Sequence, residues 1–403
     1  PKLAFRRADG SSFPSWSRTS LSSIIEPYSE KVYGEHKYEV LTSSREGLQR
    51  QVDHFGSEQR HDTDGYNVIP FGYCTYRNRS DDGRFAFNIN TISSNAIVSK
   101  FYPVFRFTNA NSLFMSEFLN SSSRAKKKLS VLAVGTSQVV LSFEALKAAD
   151  FDLPCKDEQD KIASFFECLN RRIEYQRTLV DALKKYKRGL SSSLFDEISK
   201  SGCPTVSFAD GFRLLQNNTF SRDDLSYDVG DVRNIHYGDV LIKYGTVTDI
   251  GALSVPCIKP DRDIEKFSSS SYLRNGDIVF ADTAEDYTVG KATEIVGVTN
   301  QRVLSGLHTI PCRPHDRFAP MFLGHYFNSY HFRRQIYRMI QGIKVSSISK
   351  SEIAKTTILT PPYDVQRKVA SVLSEVDHLI EKEAETVIVL QKIRRGLLQQ
   401  LFI

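Results

Sequence analysis

The sequence predicts an α+β protein in which two globular domains, each of strands plus short helices, alternate with two long helices that pair as an antiparallel coiled coil. Three observations support this prediction. The chain has 403 residues, which is too long for one ordinary hydrophobic core. It contains an internal repeat, and both copies of that repeat show heptad spacing of apolar residues. Two similar halves joined in this way also predict a pseudo-two-fold internal repeat.

The composition is that of a globular protein, with 40% hydrophobic and 25% charged residues. The net charge of +6 permits a polyanionic partner without requiring one. Six cysteines lie far apart with no C-x-x-C pair, so we expect a reduced protein without a metal site. No apolar run approaches the roughly 20 residues that cross a bilayer, which favours a cytoplasmic location.

The first globular domain is expected at residues 1–152. Runs such as NAIVSKFYPVFRF are rich in β-branched and aromatic residues and are bounded by turns, as strands are. The segment NSLFMSEFLNSS, residues 111–122, predicts a short helix with an aromatic face. The domain is therefore expected to mix strands and short helices.

The first long helix is expected at residues 153–198 and its copy at residues 360–403. PCKDEQDKIASFFECLNRRIEYQRTLVDALKKYKRGLSSSLF begins at Pro154, and PPYDVQRKVASVLSEVDHLIEKEAETVIVLQKIRRGLLQQLF begins at Pro361. The offset of 207 residues (361 − 154) holds throughout without a gap. In each copy the Pro is followed by an acidic residue, Asp157 or Asp364, which is a natural helix N-cap.

Apolar residues recur every seven positions along two series in each copy, as in the seams of a coiled coil. Each seam is interrupted at matched positions, by Gln176 and Glu383 in one series and by Lys187 and Arg394 in the other. Polar residues at seam positions restrict the register of pairing, so we expect the two helices to pair with each other; two unrelated core helices are the alternative. The predicted seam residues are Ile162, Phe166, Leu169, Ile173, Val180, Leu183, Leu190, Leu194, Val369, Leu373, Val376, Ile380, Val387, Leu390, Leu397 and Leu401.

The second globular domain is expected at residues 199–359. It opens with the Ser/Gly/Pro connector SKSGCP, contains strand-like runs such as RNGDIVFAD, and includes the aromatic helical segment APMFLGHYFNSYHFRRQIYRMI. The repeat reaches back to Gly135 and Gly342, but the domain bodies before these residues align poorly. Similar scaffolds are therefore expected to carry different surfaces.

Pro361-Pro362-Tyr363 matches part of the (Asp/Asn)-Pro-Pro-(Tyr/Phe) loop of amino-methylating DNA methyltransferases, whose first residue holds the target amino group. Here Thr360 occupies that first position, and the first copy of the repeat has no Pro-Pro-Tyr. The chain has no G-x-G turn for a cofactor, and Gly290-Lys291 lacks the rest of a phosphate loop. We interpret the motif as a helix entrance and expect no catalytic site.

These features together resemble the DNA specificity subunit of type I restriction-modification enzymes, over essentially the whole chain. That family alternates two target-recognition domains with two long helical regions, which typically begin in a Pro-rich stretch containing Glu-Gln and end near Leu-Phe. Here LPCKDEQDKIASFF leads to SSSLF, and TPPYDVQRKVASVL leads to QQLF, with Val365 in place of the usual Glu. The resemblance implies a subunit without catalysis or cofactor that binds double-stranded DNA, each domain reading one half of a bipartite target.

The resemblance also implies partners. They are two copies of a modification subunit, which methylates adenine N6 with S-adenosylmethionine, and a restriction subunit for ATP-driven translocation and cleavage. The helix pair would set the spacing between the two half-targets and dock the modification subunits. The alternative function is a non-catalytic coiled-coil scaffold or interaction protein without DNA sequence specificity.

Candidate DNA-binding residues are those that can contact phosphates or read base edges. In the first domain they are arginines around a turn, a lysine run and the polar end of GTSQ, where Gln138 can read adenine. In the second domain they are a Gly-flanked turn and QGIKVSS, where Gly342 permits a close approach. Solvated surface is the alternative for the arginines and lysines of the first domain, and an ordinary turn before the next strand is the alternative for QGIKVSS and GTSQ. The set comprises Arg77, Arg79, Arg84, Lys126, Lys127, Lys128, Ser137, Gln138, Lys243, Tyr244, Lys344, Ser346 and Ser347.

Overall fold

A computed structural model describes residues 3–56, 62–342 and 345–402. The chain divides into two compact units, the first made of Pro1–Arg177 and Glu385–Ile403 and the second of Thr178–Ala384. Each unit therefore contains the start of one long helix and the end of the other. Within the described ranges, no helix is both long and apolar enough to span a membrane.

The first unit opens with short strands and helices. Asn111 caps the helix Ser112–Ser121, because its side chain accepts a hydrogen bond from the Phe114 N–H at 3.0 Å. The helices are α1 (Gln51–Phe55), α2 (Ser112–Ser121), α3 (Ser123–Leu132) and α4 (Phe143–Lys147). The strands are β1 (Ser17–Ser20), β2 (Ile25–Tyr28), β3 (Glu39–Ser44), β4 (Gly47–Arg50), β5 (Asn67–Val68), β6 (Cys74–Tyr76), β7 (Arg79–Ser80), β8 (Phe87–Ile89), β9 (Ala96–Val98), β10 (Val104–Phe107), β11 (Val139–Val140) and β12 (Asp150–Leu153).

The two long helices are α5 (Lys156–Lys200) and α11 (Tyr363–Leu401). With 45 residues and a rise of about 1.5 Å per residue, α5 is about 67 Å long.

Between the long helices, the second unit has its own strands and short helices. The helices are α6 (Phe208–Gly211), α7 (Tyr237–Ile242), α8 (Phe322–Asn328), α9 (Tyr330–Ile336) and α10 (Lys350–Ile353). The strands are β13 (Thr205–Ser207), β14 (Phe212–Leu214), β15 (Leu225–Ser226), β16 (Val232–Ile235), β17 (Val247–Asp249), β18 (Cys257–Ile258), β19 (Ile278–Ala281), β20 (Thr283–Ala284), β21 (Ala292–Val296), β22 (Arg302–Ser305), β23 (Thr309–Pro314), β24 (Ser346–Ser347) and β25 (Thr357–Leu359).

The sheets of the two units share several pairings. The first unit has sheets of order β2-β10-β6-β8 and β4-β3-β9-β5, and the second has β14-β23-β19-β21-β17 and β15-β18-β16-β22. A parallel pair occurs in matching places, β3 with β9 and β16 with β22. The antiparallel ribbons β1–β12 and β7–β11 correspond to β13–β25 and β20–β24. In each unit, the strand before a long helix is thus tied to the strand that opens the unit.

The prediction that Asp157 and Asp364 are N-caps is wrong. Both aspartates lie inside the first helical turn, because α5 and α11 begin one residue earlier. The carbonyls of Cys155 and Pro362 accept the first helical hydrogen bonds, each at 3.0 Å. An acidic residue in the first turn still interacts favourably with the positive end of the helix dipole.

The glutamine that follows each of these aspartates fixes the helix entrance. Gln159 donates to the Pro154 carbonyl at 2.9 Å and accepts from the Asn111 N–H at 2.9 Å. Gln366 donates to the Pro361 carbonyl at 2.8 Å and accepts from the Ala319 N–H at 2.8 Å. Both glutamines are buried, so the same side chain ties the long helix to the globular part of each unit.

The long helices pair antiparallel, and two of the predicted seam interruptions form matched contacts. In the first unit the Arg394 Nε donates to the Asn170 side chain at 2.6 Å. In the second unit the Lys187 Nζ lies 2.5 Å from the Asp377 carboxylate. Lys187 and Arg394 are 207 residues apart in the sequence, and so are Asn170 and Asp377. The interruptions therefore select one register, and all predicted seam residues are buried or partly buried.

A phenylalanine near the C-terminal end of each long helix enters the core of a unit. The centre of the Phe402 ring lies 5.4 Å from the centre of the Phe118 ring in the first unit. The centre of the Phe195 ring lies 5.2 Å from the centre of the Tyr326 ring in the second unit. Both phenylalanines are almost fully buried, and burial of such a ring contributes on the order of 1.5–3 kcal/mol. The repeated Leu-Phe pair is therefore a core anchor.

Candidate nucleic-acid interface

A matched β-hairpin precedes α4 in the first unit and α10 in the second. In the first hairpin, Val134 and Val140 exchange backbone hydrogen bonds of 3.0 and 2.9 Å. In the second, Gln341 and Ser347 exchange bonds of 3.0 and 2.8 Å. These pairs differ by 207 residues at both ends, so the repeat includes the hairpins.

Each hairpin contains a glycine that no other residue could replace without strain. Gly135 has φ +140° and Gly342 has φ +109°, values that side chains disfavour. A Cβ at Gly135 would also collide with the Gln138 carbonyl oxygen, and one at Gly342 with the Val345 carbonyl oxygen. The backbone of each hairpin therefore requires glycine at this position.

The strand that pairs with each hairpin allows the two units to be aligned in a region where their sequences align poorly. The Leu141 N–H donates to the Asn78 carbonyl, and the Ile348 N–H donates to the Asp282 carbonyl, both at 2.9 Å. The next pairs are Arg79 with Val140 and Thr283 with Ser347. Arg79 and Thr283 thus occupy equivalent positions.

Arginines cluster beside the first hairpin. The Arg79 guanidinium lies 5.1 Å from the centre of the exposed Phe101 ring, a cation–π contact of roughly 0.5–1 kcal/mol. Arg45 lies 2.5 Å from Asp82, and this hydrogen bond lowers the pKa of Asp82 to about 2. We call the surface depression of about 100 Å³ at this place the arginine hollow; it is lined by Ser43, Ser44, Arg45, Arg77, Arg79, Ser80, Asp81, Arg84 and Ala86.

Two arginines of the hollow keep most of their hydrogen-bonding capacity. Among the residues that the structure describes, Arg77 has no ion-pair partner, and the Arg84 Nε is 3.9 Å from the Asp82 carboxylate. Both side chains are exposed. Such guanidinium groups can bind phosphate or read guanine.

The predicted GTSQ residues lie at the edge of this hollow. Ser137 and Gln138 are exposed at the hairpin tip. The Gln138 Nε2 donates to the Asp81 carboxylate at 3.0 Å. The structure thus brings together two groups that the sequence predicted separately, the arginines and the hairpin tip.

The predicted lysine run lies on α3 and divides by role. Lys128 is half-buried, donates to the Asp150 carbonyl at 2.8 Å and lies over the Phe151 ring. These contacts within the unit give Lys128 a structural role. Lys127 is exposed. Lys126 lines a groove that also contains Arg177 and Arg394. Only Lys126 and Lys127 remain candidates for phosphate contact.

The second hairpin carries different neighbours. Ser347 is exposed and Ser346 is half-buried, while Lys344 lies outside the described residues. His308 contacts Thr283 as Phe101 contacts Arg79, with its Nδ1 3.5 Å from the Thr283 hydroxyl and 3.4 Å from the Asp282 carboxylate. His308 also has φ 55°, and such strained backbone is concentrated at functional sites.

The loop that follows β20 is acidic rather than basic. Glu285 and Asp286 stand where the first unit has Asp81 and Asp82, but Tyr287, at 83% exposure, and Thr288 replace the glycine and arginine that follow there. Buried Arg333 anchors this loop by donating to the Tyr287 carbonyl at 2.7 Å. Among the residues that the structure describes, the second site is therefore polar and aromatic.

The prediction for Tyr244 is wrong, because its ring is 4% exposed within a hydrophobic core. Burial also raises the pKa of its hydroxyl. Neighbouring Lys243 is exposed, but it lies 3.2 Å from Asp239 and donates to the Tyr227 hydroxyl at 2.6 Å. Lys243 caps the C-terminal end of α7 and Tyr244 follows it into the core, so Tyr244 is dropped from the candidate set.

Sequence reasoning missed Arg45, Phe101 and His308. Each comes from a segment far from the hairpin in sequence and reaches it through strand pairing. Knowledge that β3 pairs with β9 and that β16 pairs with β22 would have placed these residues near the hairpins. Parallel pairing of short strands leaves no local sequence signal, so the sequence did not reveal it.

The long helices also expose apolar side chains beside their buried seam. In the first unit Phe165 and Ile393 are 42% and 47% exposed, and in the second Tyr186 and Val372 are 59% and 46% exposed. Each residue directly precedes a seam position, and members of the two units again differ by 207 residues. Repeated exposure of large apolar side chains is typical of a surface that binds a partner.

Comparisons with known proteins agree with this architecture. Residues 26–185 match the family model described as type I restriction modification DNA specificity domain. A putative type I restriction enzyme specificity subunit of Methanocaldococcus jannaschii is 26% identical over 198 residues, which are 48% of this chain and 42% of that protein. The chain therefore matches less than half of that relative's length.

Two solved structures share the fold. The S subunit of a type I restriction-modification system from M. genitalium is 14% identical, with a TM-score of 0.53 over 100% of this chain and 99% of that one. A structure that describes complex assembly and conformational transition of a type I restriction-modification system is 16% identical, with a TM-score of 0.55 over 96% and 98%. Residues 26–185 of this chain thus match the type I DNA specificity domain, and the chain shares the fold of these two solved structures over nearly its whole length.

Proposed function

We propose that this chain binds double-stranded DNA sequence-specifically and that each unit reads one half of a bipartite target. The observation that carries the proposal is the matched pair of hairpins with different side chains at equivalent positions. Arg79 contacts Phe101 in the first unit, and Thr283, which occupies the position equivalent to Arg79, contacts His308 in the second. One backbone frame with two sets of side chains is what two different half-targets require.

We further propose that residues 1–152 and 199–359 act as target-recognition domains, with residues 153–198 and 360–403 as the helical spacer. A rigid antiparallel pair would fix the number of unread base pairs between the half-targets. The matched contacts of Lys187 and Arg394 support a single register for that spacer. In this proposal the chain itself is not catalytic.

Two copies of a modification subunit are proposed to dock on the exposed apolar side chains of the long helices, and a restriction subunit to join that complex. The pairs Phe165 with Ile393 and Tyr186 with Val372 give each unit one such surface. Replacing Tyr186 and Val372 by Lys should lower the number of modification subunits that co-purify with each chain from two to one. Adding Phe165→Lys and Ile393→Lys should remove both. Full binding by the fourfold variant would contradict this docking surface.

The experiment for the central proposal is selection of duplexes from a random pool by the chain co-expressed with its modification subunit. We expect enrichment of one bipartite sequence and binding that weakens as salt rises, because phosphate contacts release counterions. A pool without any enriched sequence would support the alternative function of a scaffold without DNA specificity.

A further inference from the structure

We propose that Gln138 reads an adenine in the half-target of the first unit and that Asp81 is a positioning residue that orients the Gln138 amide for this contact. The inference rests on the proposed function and extends it to individual residues.

The backbone places the two side chains at one end of a short ribbon. Val139 of β11 pairs with Ser80 of β7. Gln138 precedes Val139, and Asp81 follows Ser80, so the two residues continue the ribbon by one step. The hydrogen bond of 3.0 Å from the Gln138 Nε2 to the Asp81 Oδ1 therefore joins two side chains whose backbones are already fixed.

This hydrogen bond decides which way the amide faces. A carboxylate only accepts hydrogen bonds, so the amide nitrogen of Gln138 must face Asp81, and the reversed amide would bring two oxygens together. The carbonyl oxygen and the second N–H of Gln138 then remain available. These are the two groups that contact adenine, the oxygen at N6 and the N–H at N7.

The surroundings fit a base-reading role. Gln138 is exposed, and the arginine hollow beside it offers Arg77 and Arg84 for the flanking phosphates. Asp82, the neighbouring carboxylate, is already engaged by Arg45 at 2.5 Å. Asp81 is thus the carboxylate of the loop that serves the hairpin tip.

The second unit provides an internal comparison. Val345 stands 207 residues after Gln138 and has an apolar side chain that cannot form directional bonds to a base. The contact proposed for the first half-target therefore has no counterpart at this position in the second. Any effect of changing Gln138 or Asp81 should be confined to one half of the target.

The test is to determine the preferred target of the chain assembled with its modification subunit, by selection from a random duplex pool, for the wild type and the variants Gln138→Met and Asp81→Asn. Asp53→Asn, the same change at an exposed carboxylate of α1, is the matched control. We expect Gln138→Met to reduce the preference for adenine at one position of the first half-target by about fivefold to a hundredfold, the range of a bidentate base contact.

Asp81→Asn should reduce the same preference by a smaller factor, because an Asn side chain accepts either orientation of the Gln138 amide. The second half-target should stay unchanged in both variants, and Asp53→Asn should match the wild type. An unchanged first half-target in Gln138→Met would overturn the inference, and so would an equal loss of affinity for all sequences. A wild-type complex that selects no sequence would overturn the proposed function itself.

Discussion

The hairpin of the first unit lies beside four arginines, whereas the matched hairpin of the second lies beside Thr283, His308 and the acidic residues Glu285 and Asp286. Their backbones agree down to individual hydrogen bonds. The difference shows that the repeated part of this chain is a frame, and that the side chains projecting from it were free to diverge. Contacts that hold the frame should therefore tolerate change poorly in both units, and changes to the exposed side chains should act on one unit alone.

The largest effect is expected from breaking a long helix that both units share. Leu379→Pro removes a backbone hydrogen bond and introduces a steric clash inside α11, which costs about 3 kcal/mol or more. Leu379→Ala keeps the helix and is the matched control. Urea unfolding and co-purification with the modification subunit measure the outcome; an unchanged unfolding curve together with unchanged assembly would count against the paired helices.

Buried ionisable groups should make the second unit sensitive to pH. Burial raises the pKa of Glu294 to about 7, although hydrogen bonds from the Gly324 and Met321 N–H groups act to lower it. The folded protein then binds this proton more tightly than the unfolded chain between about pH 4.5 and 7, so this contribution to stability falls as the pH rises. Burial lowers the pKa of His325 to about 4, so its contribution rises between about pH 4 and 6.5.

Glu294→Gln separates these opposing contributions. The free energy of unfolding of the wild type minus that of the variant should fall by about 3 kcal/mol between pH 4.5 and 7. His325→Gln serves as the converse control, since it removes the contribution that rises. Unfolding of both variants and the wild type at several pH values measures this, and a difference that is flat with pH would refute the assignment to Glu294.

The matched helix contacts should differ in strength between the units. Asp377→Ala leaves the Lys187 side chain, which is 18% exposed, without its carboxylate partner and should lower the free energy of unfolding by roughly 1–3 kcal/mol. Asn170→Ala removes a neutral acceptor from Arg394, which also contacts Glu117, and should cost about 0.5–1.5 kcal/mol. Thermal unfolding of the two variants compares them, and a larger loss for Asn170→Ala would reverse this ranking.

The smallest effect should come from exposed charges beside the hairpins. Arg77→Ala and Arg84→Ala should each weaken DNA binding similarly for all sequences and reduce the slope of log affinity against log salt by about one. Asp286→Asn in the second unit removes a negative charge and should strengthen binding slightly. Titrations at several salt concentrations measure the slopes; identical slopes for wild type and both arginine variants would exclude phosphate contact by the hollow.

Much of the frame could be predicted from the sequence because its signals are local or repeated. Heptad spacing predicted the paired helices, and their matched interruptions predicted a fixed register, which the contact of Lys187 with Asp377 explains. The repeat reaches back to Gly135 and Gly342 and so indicated two equivalent loops, and both positions have backbone conformations that need glycine. Such features depend on neighbours a few residues away or on an exact copy elsewhere.

The surfaces could be predicted only in part. Arg77, Arg79 and Arg84 were found as a cluster, but Arg45 and Phe101 join them through the pairing of distant strands. Tyr244 was misassigned because its flanking glycine indicated a turn, while the end of α7 turns the ring into the core. Local patterns do not reveal on which side of a short helix a tyrosine packs.

The most direct test of the central claim is to determine the selected DNA target for Gly135→Ala and for Gly342→Ala, each assembled with the modification subunit. Either change strains one hairpin and leaves the other intact. We predict that Gly135→Ala alters only one half of the bipartite target and Gly342→Ala only the other half. Loss of specificity in both halves from a single glycine, or an unchanged target in both variants, would contradict the conclusion that each hairpin reads its own half.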